Sequence, residues 1–165
     1  MSALTLAHLL EVHCRSAGQP PALHDAQEDI FWLEPPGQAC VGVQCWPDED
    51  AVHLFATAGY APADRASEAG DEPADLALWP HEGRFDLGQD EQGRWLLELD
   101  GSTGRLTLDL AVPLAALDPD SFAARLDGFL RTLRRWAPAF ESDPPADAVD
   151  AARHPDAAPP LWLAA

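Results

Sequence analysis

The chain has no lysine and no asparagine, and isoleucine occurs once, at Ile30. Its 10 basic residues are therefore all arginine, set against 28 acids, for a formal charge of -18. Phosphate recognition needs a basic footprint, so this balance argues against DNA or RNA as a partner. It also disfavours anionic membranes and would attract a basic protein surface. No stretch approaches the roughly 18 apolar residues that a membrane-crossing helix requires. Met1 to Leu10 lacks the cationic start and sustained apolar run of a secretory leader. The three cysteines, Cys14, Cys40 and Cys45, are an odd number at irregular spacing, which is no disulfide framework. A cytoplasmic location with reduced thiols is the expectation.

The motifs of catalysis are missing as well. There is no G-x-S-x-G for a nucleophilic serine and no G-x-x-x-x-G-K-[ST] for a phosphate loop. His8 and His13 are five residues apart and so do not share a helix face as a zinc-binding pair would. Cys40 and Cys45 lack a second pair. The acidic runs Asp48-Glu49-Asp50 and Asp71-Glu72 fall in expected turns, where solvation leaves a carboxyl untuned for acid–base work. The expectation is a protein without catalysis, metal or cofactor.

What the chain does have is regular apolar spacing over 165 residues, enough for one domain. Residues 4–17 read as a helix with Leu6, Leu9, Leu10, His13 and Ala17 on one face, Ser2 or Thr5 as its cap, and Gly18 followed by Pro20-Pro21 as its stop. Strands are expected at 28–34, 39–46 and 51–58. In the first, Ile30 and Trp32 point one way and Phe31 and Leu33 the other, so both sides want cover. Val41, Val43 and Cys45 share a face in the second; Val52, Leu54 and Ala56 oppose His53, Phe55 and Thr57 in the third. Residues 59–83 are punctuated by Gly and Pro, with at most a short helix at 73–79.

From Arg84 to Phe140 the pattern is clearest. A strand at 84–88 is followed by alternation of Trp95, Leu97 and Leu99, then of Leu106, Leu108 and Leu110, with Asp100-Gly101 and Thr103-Gly104 turning between them. Asp118-Pro119 then opens a helix with an N-cap acid and proline at its first position. Phe122, Leu126, Phe129, Leu130, Leu133, Trp136 and Phe140 form its stripe, and Arg131, Arg134 and Arg135 suit the negative end of its dipole. The tail 142–165 is rich in Pro, Ala and Asp and reads as disordered; Leu161-Trp162-Leu163 within it is a candidate docking motif. The fold class is α+β: an N-terminal helix, a twisted, mainly antiparallel sheet, and a long C-terminal helix, in one domain over 1–141.

This order of elements resembles the class I type III secretion chaperones, the Tir-chaperone-like proteins of Gram-negative bacteria. The likeness rests on RFDLGQDEQGRWLLELDG and LAVPLAALDPDSFAARLDGFLRTLRRW as late strands and last helix, and on LTLAHLLEVHCRSAG as the first helix. It covers 1–141 and departs from the family pattern in the broken middle and the long tail. The resemblance implies a homodimer that binds the N-terminal region of a secreted effector, keeps it non-globular and delivers it to the secretion apparatus. Leu6, Leu10, Ile30, Trp32, Val43 and Leu54 are the residues expected to contact the effector, and Trp95, Leu97 and Leu99 those expected at the dimer interface. A different class of reading is an acidic inhibitor or immunity protein that neutralises a basic toxin or enzyme; a small α+β enzyme is a third.

Overall fold

A computed structural model describes residues 3–61, 83–101 and 103–139. The expected helix at 73–79, Phe140 and the tail 142–165 lie outside the described residues.

The first helix, α1, spans Ala3–Ala17. Leu6, Leu9, Leu10, His13 and Cys14 are its buried side chains, so the buried stripe ends on Cys14, and Ala17 is exposed. Thr5 falls within the helix rather than at its start. Gly18 takes a left-handed φ of 63° and lets Gln19 N–H reach back to the Cys14 carbonyl at 2.9 Å, which closes the helix.

Seven strands follow: β1 (Leu23–Asp25), β2 (Ile30–Leu33), β3 (Val41–Trp46), β4 (Ala51–Tyr60), β5 (Gly83–Gln89), β6 (Arg94–Asp100) and β7 (Arg105–Pro113). They form one sheet in the order β1-β2-β3-β4-β7-β6-β5, and every pairing is antiparallel. β1 was not expected from the sequence. It makes a hairpin with β2 whose turn is tied by Asp25, which accepts from Gln27 N–H at 3.0 Å. Asp29 sits at φ 53°, which ends the turn and starts β2 at Ile30 rather than at residue 28. β4 runs to Tyr60 because a register shift between Thr57 and Gly59 lets it continue beside β7.

The second helix, α2, spans Pro119–Trp136. Asp118 caps it by accepting from Ser121 N–H, while Ser121 Oγ accepts from Asp118 N–H, both at 2.8 Å. A short 3-10 turn, Ala137–Ala139, follows it.

Both helices lie against one side of the sheet. Leu6, Leu9 and Leu10 of α1 and Phe122, Leu126, Phe129, Leu130 and Leu133 of α2 join a single core with Val41, Val43, Val52, Leu54, Leu106, Leu108, Leu110 and Val112. Trp95 stacks on Phe129 with ring centroids 6.1 Å apart and planes within 3°. The β5–β6 hairpin closes over α2: Arg125 donates to the Glu91 carbonyl, and the Gln92 side-chain amide lies against Gly128. We call the helix-bearing side the covered face.

Candidate functional site

The opposite side of the sheet carries no helix among the described residues, and we call it the open face. Strand alternation puts Ile30, Trp32, Gln44, Trp46, His53, Phe55, Leu96, Glu98, Thr107 and Asp109 there. The cross-strand register joins them into rows, with Trp32 opposite Gly42, Gly42 opposite Phe55, Phe55 opposite Asp109 and Asp109 opposite Leu96.

The half of the face nearer β1 is apolar. The Phe55 ring lies over Gly42, filling the space that a Cβ there would need, and Trp32 meets it edge-on at 5.6 Å. Leu23, at the sheet edge and opposite Trp32, is 60% exposed. The sequence asks for cover here, and among the described residues Trp32 and Phe55 supply part of it by packing on each other.

The other half is charged and aromatic. His53 is 1% exposed. Its Nδ1 lies 2.9 and 3.0 Å from the two Asp109 oxygens, and Trp46 stacks on the imidazole at 4.5 Å. An ionised carboxylate only accepts, so the ring nitrogen that meets Asp109, Nδ1, carries a proton. Nε2 faces Glu49 Oε2 at 3.3 Å but has no hydrogen bond. Arg84 reaches from β5 to give Asp109 one bond from Nη2 at 3.1 Å, and its guanidinium stands 5.4 Å from the Trp46 ring centre. Beyond it, Arg94 grips Asp86 at 2.7 and 3.0 Å. Glu98 is half-buried, and desolvation pushes its pKa up against the pull of Arg84. Trp46, His53, Phe55, Arg84, Glu98, Thr107 and Asp109 enclose a cavity of about 20 Å³, room for roughly one water. Among the described residues no cluster is built to hold a metal ion.

The residues singled out from the sequence divide between the faces. Leu6, Leu10, Val43 and Leu54 are at most 1% exposed and belong to the core under the helices. Ile30 and Trp32 belong to the open face, where Ile30 is buried and Trp32 half-buried. Trp95 and Leu97 are buried on the covered face, and Leu99 packs partly buried against the same core. The His53–Asp109 couple was missed. The alternation put both side chains on the polar sides of their strands, but only the β4–β7 register makes them neighbours.

No family model and no curated protein matches the sequence. Solved structures match it in fold. One is the HopA1-SchA chaperone-effector complex, with a TM-score of 0.59 at 18% identity over 84% of this chain and 97% of that one. Another is the ExsC-ExsE complex, with a TM-score of 0.56 at 16% identity over 84% and 96%. The ExoT-SpcS complex from Pseudomonas aeruginosa gives 0.51 at 16% identity over 82% and 99%. The helix–sheet–helix arrangement expected from the sequence is thus the fold shared with these structures.

Proposed function

We propose that this chain is a type III secretion chaperone that holds the N-terminal region of a secreted effector in a non-globular state and hands it to the secretion apparatus, working as a homodimer without catalysis or cofactor. The observation that carries this reading is the fold match over more than four-fifths of the chain to a chaperone solved with its effector. The open face supports it. A half-apolar sheet face beside a short exposed edge strand suits an extended segment, which can add hydrogen bonds along the edge and seat side chains on Trp32 and Phe55. Fixing each client residue costs about 1–2 kcal/mol of backbone entropy, so the grip works through separated anchor patches with looser links between them. The contact surface accordingly centres on Ile30 and Trp32, and Leu6, Leu10, Val43 and Leu54 support it from beneath. Trp95, Leu97 and Leu99 bear on self-association in the same indirect way, as the packed underside of β6.

Native co-purification with mass spectrometry, followed by limited proteolysis of the partner, tests the proposal. A protected extended segment near the partner's N-terminus is expected. A protected folded domain, bound in a strongly salt-sensitive way, would instead make this an acidic inhibitor of a basic protein. A charged residue at the apolar anchor, Trp32→Asp, should abolish capture of the segment while the protein stays folded by circular dichroism. Retained capture would remove Trp32 from the contact surface.

A further inference from the structure

The charged half of the open face is over-supplied with acceptors. Asp109 and Glu98 both line the small cavity beneath Arg84; Asp109 accepts from His53 Nδ1 and takes one bond from Arg84, whereas, among the described residues, Glu98 accepts no hydrogen bond. His53 lines the same cavity, and its buried Nε2 also lacks one. A guanidinium has five N–H donors in a planar fork and a flat face that stacks on aromatic rings. Trp46 offers that ring, at a distance that suits cation–π attraction. Arg84 itself is accessible from solvent. Its side chain is 33% exposed, and it stands on the edge strand β5, where every residue but Phe85 is exposed.

We propose that Trp46, Asp109 and Glu98 form a guanidinium seat, filled in the free protein by Arg84 and taken over in the complex by an arginine of the bound segment. The occupant follows from chemistry. The unmet group is the Glu98 carboxylate, an acceptor, and the wall is a π face. A planar, permanently charged donor fits both, whereas a lysine ammonium has no face to stack and a carboxylate would be repelled by Glu98. The seat lies on the same face as Trp32 and Phe55, so one extended segment can place an apolar side chain on the rings and an arginine beyond them. The exchange of one arginine for another leaves no buried carboxylate uncompensated, which is what makes it reversible. The identity of the occupant as a client arginine rests on the chaperone reading; the seat itself does not.

The test uses argininamide as the probe and the Trp46 indole N–H resonance as the readout. Arg84→Ala, with Arg84→Gln in reserve should the alanine variant unfold, empties the seat. Argininamide should then bind saturably, about tenfold more tightly than to the unaltered protein, and lysinamide more weakly. Adding Glu98→Gln to Arg84→Ala should remove most of that binding. The unaltered protein should show the same resonance shift at higher argininamide, because exchange requires that Arg84 yield. No saturable binding to the emptied seat, equal binding of lysinamide, or no response of the unaltered protein at any concentration would each overturn the proposal, leaving Arg84 as a fixed cross-strand tie. No client is needed for this measurement. Failure to co-purify an extended segment therefore sinks the chaperone reading alone, and silence toward argininamide sinks the seat alone.

Discussion

Among the described residues each side of the sheet holds one buried histidine, and the two are treated in opposite ways. His13 of α1 is 8% exposed on the covered side, edge-on to Phe122 at 5.3 Å. Its Nε2 meets no partner, and burial lowers its pKa. His53 of β4 is deeper still, at 1%, but it is framed by Asp109, Glu49 and Trp46. The covered side treats polarity as a defect to be endured in an apolar layer. The open side is built around it. A face meant only for the core would fill position 53 with valine or leucine, as its neighbours 52 and 54 are filled. Carboxylates, arginines and aromatic rings make the other side a layer of polar and stacking contacts rather than an apolar one.

The comparison breaks most visibly if the covered face is damaged. Phe129 is fully buried against Trp95, so Phe129→Ala should cost about 3–5 kcal/mol. Denaturant unfolding would show this as a lower midpoint at unchanged slope. A loss no larger than that of Trp32→Asp would mean that the two faces contribute alike to stability, against the division drawn here.

A smaller effect separates the histidines. The folded-state pKa of His13 lies below its unfolded value of 6.5. The neutral ring is thus the form the fold prefers, and the stability it permits is present above about pH 6.5 and is lost as the pH falls through the lowered value. His13→Leu should flatten the dependence of the thermal midpoint on pH between about pH 7 and about pH 5. An unchanged slope would place the acid sensitivity elsewhere.

Much of this organisation could be read from the chain. Leu106, Leu108 and Leu110 alternate because a half-covered strand admits nothing else, and Asp118-Pro119 announces α2 through a cap that forms as written. β1 could not be read. Leu-His-Asp has one apolar residue, too few to show a period, and it is a strand only because β2 lies beside it. The covered core was legible as a set of residues but not as a set of roles. Leu6, Leu10, Val43 and Leu54 look in sequence like any apolar side chains that a partner might touch, and only burial tells a foundation from a surface. Asp109 was hidden for a different reason. Between two leucines of β7 it reads as an ordinary solvent-facing acid, until the register sets it beside a histidine 56 residues away.

The last and smallest effect runs in the other direction. Burial raises the Glu98 pKa above its usual 4.5, so the fold favours the protonated acid. Its stabilising share is present below about pH 4.5 and is lost as the pH rises through the raised value. At neutral pH Glu98 is therefore a small burden on the free protein. Glu98→Gln keeps the shape and removes the charge, so it should raise the thermal midpoint at about pH 7 by a few degrees and leave it unaltered at about pH 4. The same variant should weaken argininamide binding to the emptied seat. A surface that gains stability when it loses a ligand group is one shaped for binding rather than for folding. If Glu98→Gln instead destabilises at neutral pH, the carboxylate belongs to the fold's own ion pairs, and the open face is simply a second, more polar core side.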